Sequence, residues 1–368
     1  MTLPNMENFR LRRFVEKLDA IGEVEVIENP TDLSDVARIV ENCPKVVWFK
    51  QVGSEKFELV ANVNGSQKRL ATAMDISEKQ ILEEFQNRLN NPQPVVEVKS
   101  DQAPVQQVIL QGNQADLTKL PFYVQHEFDG SPYISAGIDY TVDPKTGVTN
   151  VGCRRLSLRN SREAGTNVTA PSDLKRIYSE SCSRGEKLDI NFAVGSHPID
   201  FMAAGMRIPA DEITLVSTLR GEPLPLVKAV TNDVKVPADA EMIIEGYLDQ
   251  RGYVEPDGPY GEYVGYYGPM HQDPVFHVTA ITMREDVLHQ TLLHGAGHQI
   301  HRAESVHLIS IRLQAQALKI LNSIAKNADI LELSFLHNCP IADGGQIQNS
   351  TYRALRNGTT LKLSLIHI

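Results

Sequence analysis

The chain has 368 residues, 42% of them apolar and 22% charged, and a formal net charge of −10. That balance suits a globular protein with a sizeable core, and the acidic excess excludes a nucleic-acid binder, because neutralising phosphates takes a basic face. No run of about 18 apolar residues offers a membrane span, the N-terminus lacks a signal-peptide core, and Cys43, Cys153, Cys182 and Cys339 form no CxxC pair, so a cytoplasmic protein with free thiols is expected.

In chain order, residues 9–18 place Phe9, Leu11, Phe14, Val15 and Leu18 mostly on one helical face. Ser77 followed by Gln80 reads as a capping box opening a second helix that carries Ile81, Leu82, Phe85 and Leu89. The β-type runs Lys45–Phe49 and Phe57–Val60 lie between them, so residues 1–104 read as a small α/β domain, with Pro92 and Pro94 as breakers near its end. Residues 105–290 then turn to strands: Val105–Leu110, Tyr133–Val142, Ile190–Val194, Leu224–Val230, Glu241–Leu248 and Val275–Met283. The turn at Asp143-Pro144-Lys145-Thr146-Gly147 favours a hairpin, and one helix is expected over Ser172–Ser183. Because alternating strand and helix units are missing, the fold class expected is α+β with a mostly antiparallel barrel at its centre. Residues 291–368 read as a linker helix, with an apolar face from Val306 to Ile324, and the start of an incomplete C-terminal α/β domain. The final β-type run, Thr359–Ile368, reads as a truncated end.

Three stretches could carry chemistry. In Glu255-Pro256-Asp257-Gly258-Pro259-Tyr260-Gly261-Glu262, a turn of little conformational freedom sets Asp257 and Glu262 five residues apart, and paired acids in a dry site push their pKa values apart. An acidic surface loop is the bland alternative. In Thr149–Arg155, on a predicted strand, an inward-facing Arg155 would need carboxylate or phosphate partners, whereas Arg154 and Arg159 suit solvated positions. In Ala203–Glu212, small residues would let backbone approach a bulky ligand. There Glu212, with the amide oxygen of Asn150, could hold a hard cation, or Asp211-Glu212 could simply start a helix. The histidines of His294–His301 could suggest a zinc hydrolase, but the glutamate of an HExxH helix is missing.

Taken together, the chain resembles the UbiD family of decarboxylases. The likeness runs in order through Ala115–Pro121, Ser131–Gly137, Asn150–Arg155, Leu219–Pro223, Val236–Glu241, Glu245–Tyr247, Asp257–Glu262 and Gly265–Gly268. It implies a central split β-barrel flavin-binding domain flanked by an α/β domain. The implied cofactors are prenylated FMN, a divalent metal (Mn2+ or Mg2+) and K+. By position, Arg155, Asp257 and Glu262 match the catalytic residues, and Asn150, Val151, Gly152, Arg155, Ala204, Met206 and Glu212 the cofactor-binding ones. Asn150, Asp173 and Glu212 match the metal ligands. Asp257 stands where some members have glutamate, and Asp173 where the family often has histidine. The activity implied is non-oxidative, reversible decarboxylation of an aromatic or α,β-unsaturated carboxylic acid, with Glu262 as proton donor. A flavin prenyltransferase would supply the cofactor to a homo-oligomer. The alternative is a catalytically impaired flavin-binding or assembly subunit of such a complex.

Overall fold

The computed structural model describes residues 4–208, 210–262, 265–294, 303–324, 333–336, 351–356 and 359–364, with side chains up to residue 315. The first helix, Leu11–Ala20, buries Leu11, Phe14, Val15 and Leu18, the residues its 3.6-residue pattern places on one stripe. Each such side chain contributes about 1.5–3 kcal/mol when removed from water. A four-stranded sheet follows. Val24–Ile27 runs parallel to Val46–Val52, which pairs antiparallel with Phe57–Ala61. The fourth strand, His289–Thr291, arrives from more than two hundred residues later and lies parallel to Phe57–Ala61. The helix Ile81–Leu89 follows a 3-10 turn at Glu78–Gln80 whose capping box joins Ser77 and Gln80.

The middle of the chain closes into a six-stranded barrel. Around it run Met242–Leu248, Leu188–Val194, Tyr133–Val142, Thr149–Leu158, Glu163–Thr166 and Val275–Met283, which pairs back onto Met242–Leu248. Every pairing in this ring is antiparallel. Alternation along the strands fills the barrel with Leu156, Ile190, Phe192, Ile244, Phe276 and their neighbours. Phe192 and Phe276 meet edge-to-face at 5.0 Å. Gly246 sits at a bulge where Phe276 crosses the strand, and a Cβ there would come within 2.6 Å of that ring and 2.1 Å of the His277 carbonyl oxygen. Val108–Gln111 adds to the outer edge of Val275–Met283.

Two short helices, Pro198–Ala204 and Glu212–Arg220, cover the outer face of the barrel and are buried nearly all round. Between them Arg220 is locked by Asp200 at 2.7 Å and Asp239 at 2.6 Å. The helix Glu304–Ile324 starts from a buried carboxylate: Glu304 accepts backbone N–H groups of Asn62, Asn64 and Leu293 at 3.2, 2.8 and 2.6 Å. Beyond it, Leu333–Leu336, Thr351–Arg356 and Thr359–Ser364 form an antiparallel sheet. Among the described residues no helix is long and apolar enough to cross a membrane. The helices Leu33–Asn42, Gln67–Ala73 and Pro198–Ala204 are additions to the sequence reading.

Candidate active site

Thr149–Leu158 carries Arg155 to one end of the barrel. There the turn after Glu255–Asp257 folds back, so that Asp257 and Glu262 meet the same guanidinium. Arg155 Nη2 donates to Asp257 Oδ2 at 3.0 Å, and Nη1 lies 3.5 Å from Glu262 Oε1. The guanidinium sits 4.3 Å from the centre of the Tyr260 ring and 5.7 Å from that of Tyr133. The Tyr133 hydroxyl donates to the other oxygen of Asp257 at 3.1 Å. Asp257 is therefore a buried acceptor with both oxygens used, and Arg155 is held flat by rings and acids. Glu262 is a third exposed. Burial raises its pKa, against the pull of Arg155, so its proton is held more tightly than a solvated glutamate would hold one.

Arg155 and Glu262 open on a cavity of about 460 Å³ between the barrel, Ala204-Gly205 and the helix that starts at Glu304. That volume suits a ligand of cofactor size, and the small residues leave room for a flat ring system. His294 also lines it. Burial first, then His126 and Arg155, depress its pKa to about 3, so it is a neutral imidazole, bound through Nδ1 to the Tyr260 hydroxyl at 3.1 Å. His298 and His301, the rest of the histidine cluster, lie outside the described residues.

A second cavity, about 420 Å³, adjoins the same strand and helices and is lined by Asn150, Asp173, Arg207 and Glu212 among others. Asp211 caps the helix Glu212–Arg220, accepting from Ile213 N–H, while Glu212 turns back to the strand. Glu212 Oε2 accepts from Asn150 Nδ2 at 2.5 Å and from Val151 N–H at 2.9 Å. Asn150 Oδ1 is buried without a hydrogen-bond partner among the described residues. An orphaned amide oxygen beside a carboxylate is the donor set a hard divalent cation takes, so these residues fit Mn2+ or Mg2+. Asp173 is engaged differently. Arg207 grips both its oxygens at 2.5 and 3.0 Å. Burial raises the pKa of Glu212, with Asp173 adding to the effect. Ala204 lines the larger cavity, whereas Val151, Gly152 and Met206 are not among the lining residues of either.

A family model described as the 3-octaprenyl-4-hydroxybenzoate carboxy-lyase Rift-related domain of UbiD matches residues 96–297. The chain belongs to the UbiD family. Among curated UbiD relatives, it is 30% identical over 285 residues to an anhydromevalonate phosphate decarboxylase of Methanosarcina mazei, aligning over 77% of this chain and 64% of that protein. The chain thus spans less than two thirds of the length of that relative. Its fold matches the UbiD-class enzyme HmfF of Pelotomaculum thermopropionicum in complex with prenylated FMN, with a TM-score of 0.81 and 30% identity over 89% of this chain and 75% of that one. The closed form of the vanillic acid decarboxylase of Sedimentibacter hydroxybenzoicus superposes with the same TM-score at 23% identity, over 89% and 72% of the two chains, a likeness of fold. The α+β class and the central barrel expected from the sequence are those of this family.

Two residues depart from the sequence reading. Arg154 and Arg159, expected in solvent, are largely buried. Arg154 points into the barrel mouth, 3.5 Å from the fully buried Asp139, and Arg159 approaches Asp257 at 3.9 Å while bonding the Pro256 carbonyl. Alternation explains Arg154: it shares its strand face with Leu156, which fills the barrel. Tyr133, Tyr260, His271 and Asp273 complete the surroundings of Arg155 and were not singled out. Tyr133 and Tyr260 lay within the quoted motifs, whereas His271 and Asp273 carry no local signal.

Proposed function

We propose that the chain is the flavin-binding, catalytic part of a carboxy-lyase that removes CO2 reversibly and without oxidation from an aromatic or α,β-unsaturated acid. The observation that carries this reading is the single guanidinium of Arg155 held between Asp257 and Glu262 at the mouth of the larger cavity. Prenylated FMN, bound in that cavity, would supply the electron sink that no side chain provides for charge left on an sp2 carbon.

The rest falls to the chain's own residues. Arg155 receives the substrate carboxylate through the N–H groups that its two acids leave free. Asp257, braced by Tyr133, fixes the plane of that guanidinium. Glu262, whose proton is held more tightly by burial, delivers it to the carbon that has lost CO2, and in the reverse direction takes it back. Asn150 and Glu212, together with Asp173, would hold the Mn2+ or Mg2+, and with K+ these ions would help retain the cofactor. The named activity of the curated relative supports a carboxylic acid substrate. A flavin prenyltransferase as supplier, a homo-oligomeric state and a cytoplasmic location belong to the same reading.

Expression alongside a flavin prenyltransferase, followed by mass spectrometry of the bound cofactor and assay of CO2 release, tests it. Bound prenylated FMN with CO2 release supports the reading. Bound cofactor without turnover on any acid favours the flavin-binding or assembly subunit. Zinc without flavin overturns both. In an active preparation, Glu262→Gln should abolish proton exchange at the substrate carbon, and unchanged exchange removes Glu262 from the role.

A further inference from the structure

The helix that starts at Glu304 turns one face to the larger cavity. Ser305, Leu308, Ile309 and Arg312 line it, at the three- and four-residue spacing that stacks side chains on one side of a helix. The cavity is therefore faced by the guanidiniums of Arg154, Arg155 and Arg312. Arg155 has Asp257 and Glu262 beside it, and Arg154 has Asp139 at 3.5 Å. Arg312 forms no ion pair among the described residues. Its own helix cannot supply one, because the sequence has no Asp or Glu from Ser305 to Ala328. Nη1 donates to the Gly205 carbonyl, and Nε is buried without a hydrogen-bond partner among the described residues.

We propose that Arg312 binds an oxyanion, a phosphate or carboxylate group, on a ligand in the larger cavity. The proposal rests on the reading of that cavity as the place of cofactor and substrate, but is tested apart from it. A guanidinium carries its N–H donors in a rigid fork and keeps its charge at any pH, so it cannot escape a poor environment by losing a proton. Here the protein gives that fork one carbonyl and no acid. An N–H left unpaired away from water is costly, and a charge-assisted bond to an oxyanion removes the cost. A tether is the bland reading, since a cation beside the last carbonyls of Pro198–Ala204 suits the helix dipole. That accounts for Nη1 and leaves both the charge and Nε unanswered.

Arg312 and Arg155 then serve different anions. The charge of Arg312 reaches the strand Thr149–Leu158: burial pushes the Cys153 thiol up to about 12, with Arg154 and Arg312 pulling the other way. Cys153 and Arg155 both line the cavity, and residues two apart on a strand stand about 7 Å apart on one face. A ligand can therefore meet both guanidiniums at separate points. Arg155, already facing two acids, takes the carboxylate that reacts, while Arg312, facing none, attracts a group that does not react. Arg312 lies about 10 Å along the helix from the anchored Glu304, so an oxyanion held there ties the ligand to that helix as well as to the barrel. The oxyanion has two sources, the phosphate of the cofactor and a second acidic group on the substrate.

The test is flavin binding by the full chain, read by quenching of flavin fluorescence, with FMN and with riboflavin, which lacks the phosphate. Calorimetry adds the binding of terephthalate, with two carboxylates, and of benzoate, with one, to the FMN-loaded protein. Arg312→Gln should weaken FMN relative to riboflavin, or terephthalate relative to benzoate, by about tenfold. The first result puts the oxyanion on the cofactor and the second puts it on the substrate. No selective loss in either pair, with both members of each changing in step within about twofold, leaves Arg312 a tether for Gly205 and overturns the proposal. If Arg312→Gln does not fold, Arg312→Lys replaces it, keeping the charge without the fork. A selective loss of about threefold or more then supports the proposal, and changes in step overturn it. A wild type that binds no flavin defeats the reading of the cavity instead. Terephthalate against benzoate on the flavin-free protein then decides Arg312 by itself, and no preference for the dianion overturns it.

Discussion

The contact between Arg155 and Asp257 can be measured without any substrate, by a double-mutant cycle of Arg155→Met and Asp257→Asn. Both partners are largely buried, at 11% and 1% side-chain exposure. Removing one member of a buried ion pair costs about 3–5 kcal/mol, because it strands the other. Arg155 in Asp257→Asn keeps Glu262 at 3.5 Å and the face of Tyr260, so a smaller cost, about 2–3 kcal/mol, applies. In Arg155→Met, Asp257 keeps the Tyr133 hydroxyl but its nearest remaining guanidinium, that of Arg159, is 3.9 Å away, so a cost of about 2–4 kcal/mol is expected. The double variant strands neither charge, so the two single costs should exceed it by about 1–3 kcal/mol. Urea unfolding of the four proteins at pH 7.5, compared through their midpoints at a common slope, reads this directly. Costs that add within about 0.5 kcal/mol would refute the argument, since groups in direct contact cannot be independent.

Asp139 is fully buried, neither oxygen has a hydrogen-bond partner among the described residues, and burial lifts its pKa to about 6 despite Arg154. Between its ordinary value of 3.8 and about 6 the folded state holds the extra proton, so stability falls as pH rises through that window and the deficit is complete above it. Asp139→Asn should therefore be the more stable protein at pH 8, by up to about 3 kcal/mol, and match the wild type near pH 4; a wild type more stable at pH 8 in thermal unfolding contradicts this. Gly246→Ala places a Cβ against the His277 carbonyl and the Phe276 ring and should cost about 2 kcal/mol or more by denaturant unfolding, while an unchanged midpoint would mean the bulge is not there. Glu212→Gln should weaken Mn2+ binding at least about tenfold in a titration of the FMN-loaded protein followed by electron paramagnetic resonance, and equal affinity removes Glu212 from the metal site.

Alternation made much of the barrel readable: Val275–Met283 was placed to the residue, and Tyr133–Val142 likewise. Glu163–Thr166 and His289–Thr291 are too short to show a period and exist because of the partners they find. Pro198–Ala204 escaped notice because a helix buried on every side has no polar face to set the rhythm. Within the site, Arg155, Asp257 and Glu262 stood out through unusual local sequence. Asp273 and Asp139 did not, because each owes its environment to strand pairing: the register that sets Asp257 opposite His271, and the face Asp139 shares with Arg154. Pairing between distant segments leaves no trace in either segment alone.

The return of the chain at His289–Thr291 makes the barrel an insertion into the first sheet and not a bead following it. Any rotation of one unit against the other must strain two connections at once, the one leaving after Ile81–Leu89 and the one coming back, and Glu304 anchors the second to Asn62 and Asn64. A protein cut after residue 288 to isolate the barrel would lose that anchor and leave Phe57–Ala61 as an unpaired border, inviting self-association through its open backbone groups. The cavity beside Arg155 is thus held by a frame whose two ends are fastened to the same sheet.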